Sequence, residues 1–361
     1  MARLYGSEVT RAEIARHVGD MAQIARTKPY RLAEGFEAGT LAVDVSTGTG
    51  FQFTVVPDRA LDVSSASLGG RSLAWRSAQT DRHPAYYEPA GLGWLRSFPG
   101  GLLATCGLLW HGAPTTDEGE RLGLHGRVSN TPATNVHWDA GWDGDDYVLS
   151  VSGRIREAVV FGANVELRRR VWTRMGESRL FIDDTVENLG FEAAPHMLLY
   201  HVNVGFPAVA PDARIVAPST EARPRDADAA EGGERWDRLD APTAGYREKC
   251  YFHTMRAGRD GAVTAAVINP ALDGGVGFGV YVRYRPEQLP FFTQWKMMGE
   301  GAYVVGLEPC NALVMGRDVE RREGRLQHLE PGERRSYRVE IGAAAGAEAL
   351  ASLEAAAGGG R

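Results

Sequence analysis

Short runs in which apolar and polar residues alternate dominate the chain from about residue 36 onward. The clearest of these runs are residues 147–155, 163–174, 179–187, 276–284, 303–307 and 336–341. An alternation with a period of two places successive side chains on opposite faces of a strand, so each run predicts a β-strand. Residues 175–178 separate two of the runs and predict a hairpin turn. Because the strands follow one another without helical patterns between them, the sequence predicts a mostly β fold built from antiparallel sheets.

The two ends of the chain have different patterns. Residues 7–24 carry apolar side chains at roughly helical spacing, which predicts a helical N-terminal preface over residues 1–35. Residues 36–343 contain no clear linker and are predicted to form a single domain. Residues 344–361 consist mostly of alanine, glycine and glutamate, which predicts a weakly ordered tail, helical in part and frayed at its final glycines. Within the domain, the charged residues, prolines and glycines of residues 221–244 predict an exposed loop or flap.

Charge and cysteine content narrow the classes of partner. The formal net charge is −6 at pH 7, which argues against nucleic acid or an anionic membrane as the partner. No stretch approaches the ~20 apolar residues of a membrane span, and the first residues lack the apolar core of a signal peptide. Cys106, Cys250 and Cys310 lie far apart without a CxxC pair, which predicts neither a zinc knuckle nor a disulfide framework. A reducing cytoplasm is therefore the expected location.

Several common catalytic motifs are missing from the sequence. It contains no GxGxxG after a strand, no P-loop, no HExxH and no GxSxG. Dinucleotide-binding, nucleotide-binding, zincin and α/β-hydrolase functions therefore have no local support. The pair of histidines one residue apart that cupin-type metal sites use is also missing. The chemistry has to come from residues that are dispersed along the chain.

The first segment with candidate chemistry is residues 122–132. His125 lies there between Gly123 and Gly126, and the lack of side-chain bulk lets a ligand approach the imidazole and the backbone. Arg127 adds a directional hydrogen-bond donor. Taken alone, the segment is more typical of a capped loop whose histidine binds a carbonyl oxygen.

Two further segments place polar side chains on predicted strands. His201 and Asn203 follow an apolar run and project from the same strand face, as residues delivered into a pocket do. Glu308 follows a β-prone run and precedes a proline, so we expect it at a strand end. Burial there would raise the pKa of Glu308 and make it a capable general base. Individually, a satisfied core histidine and a surface glutamate explain the same patterns.

Together, two imidazoles and a carboxylate can open and close a sugar hemiacetal without a cofactor. The carboxylate takes the proton of the anomeric hydroxyl, while an imidazole donates a proton to the ring oxygen. Aromatic side chains near these segments suit the apolar faces of a pyranose ring. These are Trp75, Trp94, Trp110 and Trp295.

Two other classes of function stay open on the residues alone. His125, His201 and Glu308 also match the ligand set of a catalytic zinc site with an open position, which His111 or His196 could complete. A sugar isomerase, lyase or hydrolase that depends on a metal is therefore one alternative. A sugar-binding protein without catalytic activity is the other, because a fold does not fix a function.

The chain resembles the aldose 1-epimerase (galactose mutarotase-like) superfamily, and within it the DUF4432 branch. The resemblance rests on residues 56–63, 100–108, 123–127, 200–203 and 306–309 and extends from about residue 18 to residue 342. It implies a large antiparallel β-sandwich and a cofactor-free mutarotase or epimerase acting on a free or modified monosaccharide. It further implies His201 as the general acid, Glu308 as the general base and His125 as a substrate-positioning group, with Arg59 contacting sugar hydroxyls.

The sequence departs from the superfamily pattern between His201 and Glu308. A substrate-binding aspartate is expected in that interval, which instead holds Asp237, Asp240 and Glu248 outside any matching motif. The sugar and the type of interconversion therefore stay open. The residues expected to contact the carbohydrate are Arg59, Asp62, Arg127, Asn203, Lys296 and Arg317. A homodimer is compatible with the exposed edges of an antiparallel sandwich.

Overall fold

In residues 2–358, which the computed structural model describes, the strands form two large sheets and three two-stranded ribbons. The strands are β1 (Ala2–Leu4), β2 (Ser7–Val9), β3 (Arg26–Arg31), β4 (Leu41–Ser46), β5 (Phe51–Val56), β6 (Asp62–Leu68), β7 (Arg71–Ser72), β8 (Trp75–Arg76), β9 (Gly100–Gly101), β10 (Leu103–Leu108), β11 (Thr115–Asp117), β12 (Glu120–Leu122), β13 (Thr134–Asp143), β14 (Asp146–Ala158), β15 (Asn164–Arg174), β16 (Arg179–Asn188), β17 (Ala194–Val204), β18 (Arg214–Val216), β19 (Ser219–Pro224), β20 (Lys249–Met255), β21 (Val263–Asn269), β22 (Phe278–Tyr284), β23 (Phe291–Gly299), β24 (Ala302–Cys310), β25 (Gln327–Leu329) and β26 (Arg334–Ala345). The helices are α1 (Arg11–Ala15), α2 (Ala227–Ala230), α3 (Leu272–Gly275), α4 (Arg317–Arg322) and α5 (Ala347–Ala357).

Both large sheets are antiparallel. The larger one has the strand order β19-β20-β23-β24-β17-β10-β6-β5-β4-β3, with β25 beside β17 and β7 beside β6. The smaller one has the order β13-β14-β15-β16-β26-β22-β21-β18. The six predicted strands fall on β14, β15, β16, β22, β24 and β26, and residues 175–178 turn the chain from β15 into β16. The prediction of a mostly β, antiparallel sandwich is confirmed.

The main core lies between the two sheets and is built by the alternation that the sequence displays. In β14, Tyr147, Leu149 and Val151 are buried while the residues between them are partly exposed. Their side chains pack with apolar residues of the larger sheet such as Val55 and Val63. Each square ångström of apolar surface removed from water contributes about 25 cal/mol, so this interface holds the sheets together.

β17 lies inside the larger sheet and is buried on both faces. Leu198 and Val202 belong to the main core between the sheets. Leu199 alternates to the opposite face, where it packs in a separate apolar cluster with Phe98. His201 projects to the same side as Leu199, because alternate residues of a strand share a face. The face of the larger sheet that is turned away from the smaller sheet therefore carries this histidine.

The N-terminal preface is less helical than predicted. Only Arg11–Ala15 forms an α-helix, whose capping box pairs Thr10 with Glu13. The helix ends at Ala15, and the side chain of Asp20 caps a separate 3-10 turn, Met21–Gln23. Residues 26–31, which the prediction left in the preface, form edge strand β3 of the larger sheet.

The C-terminal tail is more ordered than predicted over the residues described. Helix α5 packs Leu350 and Leu353 against Ile268 of β21. Alanine has the highest helix propensity, and the two leucines share a face at a spacing of three, so this helix buries an apolar stripe. The frayed glycines predicted at 359 and 360 lie outside the described residues. No helix in residues 2–358 is long and apolar enough to cross a membrane.

Candidate active site

Two neighbouring strands bring His201 and Glu308 together. In the register of β17 and β24, Val202 lies opposite Leu307, which sets His201 beside Glu308 on the same face of the sheet. The sequence predicted Glu308 at a strand end, whereas it lies two residues inside β24. The strand continues past Pro309, although proline has no N–H to donate and the ladder to β17 is interrupted at this point.

The imidazole and the carboxyl group meet in a buried environment. His201 Nε2 lies 3.3 Å from Glu308 Oε1, and the two residues are 5% and 2% exposed. Neither Glu308 Oε1 nor His201 Nδ1 has a hydrogen-bond partner within residues 2–358. Burial raises the pKa of Glu308 well above its usual range, and the charge of Glu248 adds to the effect. Burial lowers the pKa of His201 to about 4, so burial favours the neutral form of both groups.

His125 forms the other side of the site. Its ring centroid is 5.8 Å from that of His201, and its backbone has a positive φ of 59°, which is uncommon for a residue with a side chain. The backbone N–H of Gly112 donates to His125 Nδ1 at 3.4 Å, which leaves Nε2 as the protonated nitrogen of the neutral ring. Burial lowers the pKa of His125 well below its usual range, and nearby His201 adds to the effect. His125 is therefore a neutral hydrogen-bond donor.

Aromatic rings wall the space around the two histidines. Trp94 lies 4.8 Å from the ring of His125, and Phe98 and Trp295 each lie 5.5 Å from the ring of His201. Sequence reasoning singled out both tryptophans and missed Phe98. The remaining two aromatic residues named from the sequence, Trp75 and Trp110, have different places. Trp75 contacts Trp295 at 5.9 Å, whereas Trp110 is buried and donates its indole N–H to the carbonyl oxygen of Gly123 in the His125 loop.

Arg225 and Glu248 form a charged rim beside this space, and sequence reasoning missed the arginine. Glu248 accepts hydrogen bonds from the indole N–H of Trp295 at 2.8 Å and from Arg225 Nη2 at 3.0 Å. The charge of Glu248 raises the pKa of Glu308 in addition to burial, and that of Arg225 opposes the shift. The side chain of Glu248 is 48% exposed and that of Arg225 is 26% exposed. This rim therefore has polar atoms that a ligand can reach.

Arg59 does not reach the site. Its buried guanidinium donates to the carbonyl oxygens of Arg82 and Ser97 at 2.9 and 2.8 Å and to the side chain of Asn130 at 3.1 Å. Both terminal nitrogens of the guanidinium bind protein acceptors, so its expected role as a direct sugar contact is revised. The residue after Ser97 is Phe98, and Arg59 thereby fixes one wall of the site.

Asp62 and Arg317 are also engaged away from the site. Asp62 accepts hydrogen bonds from the backbone N–H and the hydroxyl of Thr105 and pairs with Arg169 at 3.1 Å. Burial raises the pKa of Asp62 to about 6 against the opposing charge of Arg169. Arg317 binds Asp117 at 2.6 Å and so ties α4 to the β11–β12 ribbon. Both residues belong to structural ion pairs, and neither is available to a sugar at His201.

Asn203 and Arg127 lie next to the site without pointing free donors into it. Asn203 is fully buried, and its amide nitrogen donates to the carbonyl oxygens of Gly101 and His201. It therefore holds the strand that carries the histidine. Arg127 is exposed, and its guanidinium lies 5.1 Å from the ring centre of Trp110.

Lys296 faces the opposite side of the larger sheet. It follows Trp295 on β23, and consecutive strand residues point to opposite faces. Its ammonium binds Asp240 at 3.1 Å and the carbonyl oxygen of Arg238. The structure thus brings together His125, His201 and Glu308 but separates Lys296 from them.

The metal hypothesis named His111 or His196 as a further ligand beside the three site residues. Within residues 2–358 no group of three or more His, Cys, Asp or Glu side chains is arranged to hold a metal ion. His196 uses both ring nitrogens in hydrogen bonds, one with the carbonyl oxygen of Leu108 and one with the hydroxyl of Tyr337. His196 therefore does not complete a ligand set with His201 and Glu308.

The chain has a galactose mutarotase-like fold, and a buried imidazole–carboxyl pair lies on the larger sheet of its antiparallel sandwich. The chain belongs to the DUF4432 family, described as a domain of unknown function, whose model matches residues 37–343. No curated protein matches the chain.

Solved structures are similar to this chain over most of its length. A "putative aldose 1-epimerase" from Klebsiella pneumoniae subsp. pneumoniae MGH 78578 is 24% identical, with a TM-score of 0.87 over 96% of this chain and 89% of the other. A galactose mutarotase-like protein from Clostridium acetobutylicum is 13% identical, with a TM-score of 0.60 over 90% and 99%. Galactose 1-epimerase from Lactobacillus acidophilus NCFM is 12% identical, with a TM-score of 0.58 over 90% and 100%. At these identities the likeness concerns the fold.

Proposed function

We propose that this protein interconverts the anomers of a free or modified monosaccharide by acid–base catalysis. The observation that carries the proposal is the 3.3 Å separation of His201 Nε2 and Glu308 Oε1 in a buried, aromatic-walled space. The two oxygens that exchange protons in this reaction, the anomeric hydroxyl and the ring oxygen, are bonded to one carbon. An acid and a base that serve them have to be close neighbours, as these two groups are.

The proposed reaction takes one proton from the anomeric hydroxyl and gives one proton to the ring oxygen. Glu308, as the carboxylate, takes the proton of the anomeric hydroxyl, and His201, as the imidazolium, gives a proton to the ring oxygen. The bond between the anomeric carbon and the ring oxygen breaks, and its electron pair stays on that oxygen. The hydroxyl oxygen forms the carbonyl of the open-chain aldehyde. After rotation about the neighbouring carbon–carbon bond, the same steps in reverse close the ring on the other face.

One proton on the pair is enough for this cycle. The pair has two states with the same number of protons. In one, a neutral carboxylic acid lies beside a neutral imidazole; in the other, a carboxylate lies beside an imidazolium. Burial favours the neutral form in the unliganded site, because it disfavours both charged groups. Sugar hydroxyls that hydrogen-bond to Glu308 favour the ionised form. Substrate binding would therefore generate the catalytic acid and base together.

His125 and the aromatic walls would orient the sugar. The protonated Nε2 of His125 is a neutral donor suited to a sugar oxygen. Trp94 and Trp295 offer apolar surfaces for the C–H faces of a pyranose. Glu248 and Arg225 at the rim would bind hydroxyls remote from the anomeric carbon, a role that the sequence had assigned to Arg59 and Lys296.

Anomer exchange can be measured directly by NMR exchange spectroscopy and by polarimetry of freshly dissolved sugars. A panel of hexoses, pentoses and 6-deoxy sugars covers the open question of substrate. We expect Glu308→Gln and His201→Gln each to lower the enzyme-dependent rate by about 10²- to 10⁴-fold, the usual contribution of a positioned acid or base. Glu300→Gln, an exposed change in the turn between β23 and β24, is the matched control and should leave the rate unchanged. Exchange that persists at the native rate in Glu308→Gln would contradict the mechanism.

A further inference from the structure

A polar cavity lies on the other face of the larger sheet from the candidate active site. It has a volume of about 370 Å³ and lies against strands β20 and β23. Lys249 and Lys296 line it, and the chain segment between β19 and β20 supplies Asp228, Asp240 and Tyr246. Because Trp295 faces the histidines, the next residue on the strand, Lys296, faces away from them. The cavity is thus separated from the acid–base pair by the thickness of the sheet.

The two lysines are an unusual feature of this chain. It contains only three lysines, Lys28, Lys249 and Lys296, among its 40 lysines and arginines. Two of the three are direct cross-strand partners in the register of β20 and β23. Like charges at such positions destabilise a sheet unless another charge compensates them. A compact ammonium also differs from a guanidinium in acting as a point charge, so this pair is suited to concentrate positive charge on one small anion.

Several hydrogen-bond donors of the cavity have N–H or O–H groups without an acceptor among the described residues. Lys249 Nζ donates to the carbonyl oxygens of Asp228 and Glu231, and it has no carboxylate partner within residues 2–358. Lys296 Nζ donates to a carbonyl oxygen and to Asp240. An ammonium carries three N–H groups, so each lysine keeps one to spare. The hydroxyl of Tyr246, which also lines the cavity, has no partner within the described residues.

Two of the three acidic side chains that line the cavity are already matched by cations. Asp240 pairs with Lys296 and, at 3.5 Å, with Arg235. Asp228 pairs with Arg247 at 2.7 Å. Glu231 stands at the exposed rim. Free donors together with occupied acceptors fit a ligand that brings acceptors and negative charge.

We propose that this cavity binds the phosphate group of a small molecule, between Lys249 and Lys296 and with the hydroxyl of Tyr246. A phosphate offers a double negative charge and several acceptor oxygens, which match two ammonium groups and a hydroxyl. The volume exceeds that of a phosphate alone and leaves room for an attached group of the size of a monosaccharide. The site does not depend on the anomer exchange proposed above, since it lies on the other face of the sheet.

Isothermal titration calorimetry of the full chain at low ionic strength tests this site. One arm uses inorganic phosphate and the other glucose 1-phosphate, which separates free phosphate from a phosphate ester as the natural source. We expect one phosphate group bound per chain, with affinity at least about tenfold weaker in Lys249→Met. Lys28→Met removes the same charge from the exposed side chain on β3 and should bind as the native protein does.

Tyr246→Phe keeps the packing of the ring and removes only the unpartnered hydroxyl. We expect it to weaken binding about three- to tenfold while thermal unfolding followed by circular dichroism stays native-like. Absence of binding by the native chain up to about 10 mM of either compound would overturn the proposal, since a dissociation constant above that concentration corresponds to less than about 3 kcal/mol of binding free energy. Equal weakening in Lys249→Met and Lys28→Met would overturn it as well, because it would show a general charge effect.

Discussion

His201 and Glu308 titrate as a pair, because 3.3 Å separates the nitrogen from the oxygen. The proposed active form holds one proton on this pair. Below the lower pKa, both groups are protonated and the base is lost. Above the higher pKa, neither is protonated and the acid is lost. The pKa of His201, lowered to about 4 by burial, sets the acid limb of the rate profile, and the raised pKa of Glu308 sets the alkaline limb.

We therefore expect kcat/KM for anomer exchange to follow a bell-shaped pH profile whose acid limb lies well below the pKa of a free histidine. Glu248→Gln removes a negative charge that helps to raise the pKa of Glu308. The alkaline limb of this variant's pH profile should therefore lie at lower pH than that of the native protein. The acid limb should move little. Steady-state rates from pH 3 to 10 measure both limbs, after the spontaneous rate at each pH has been subtracted. An alkaline limb unchanged by Glu248→Gln would refute the assignment to Glu308.

Individual strands could be predicted from the sequence, whereas the pairing that builds the site could not. Alternation marks β14 and β16 because one face of each is buried against a core. The register between β17 and β24 joins distant parts of the chain, and no local pattern specifies it. Alternation did contain one signal about the site: Trp295 and Lys296 are adjacent in a strand and cannot both face His201. The buried arginines were misassigned because a charge that serves an internal ion pair looks the same in sequence as one that serves a ligand.

Gly306 on β24 leaves the space that the carboxyl group of Glu308 occupies beside His201. A Cβ atom at this position would overlap Glu308 Oε1 and approach Trp295 Cβ to 2.9 Å. We expect Gly306→Ala to displace the carboxyl group and to lower the exchange rate at least about tenfold, at a stability cost of about 1–3 kcal/mol. Gly141→Ala on β13 is the matched control, since its Cβ has an open environment. Rate measurement with denaturant unfolding separates the two effects, and a native rate in Gly306→Ala would show that the carboxyl position is not critical.

At the scale of the whole molecule, a buried ionic network joins the two sheets. Arg169 on β15 of the smaller sheet has a fully buried side chain. It binds Asp184 of its own sheet at 2.7 Å and Asp62 of the larger sheet at 3.1 Å. Tyr200, the residue before His201, donates its hydroxyl to Asp184 at 2.7 Å. The network therefore connects the core between the sheets to the strand that carries the proposed acid.

Removing the arginine would leave two carboxylates buried without their cation. We expect Arg169→Met to lower the free energy of unfolding by about 3–5 kcal/mol, because an uncompensated buried charge costs more than the lost pairing alone. Arg170→Met is the control on the same strand: Arg170 is exposed, and its change should cost much less. Urea unfolding of both variants gives the difference. A loss below about 1 kcal/mol in Arg169→Met would mean that the apolar packing between the sheets holds them together without this network.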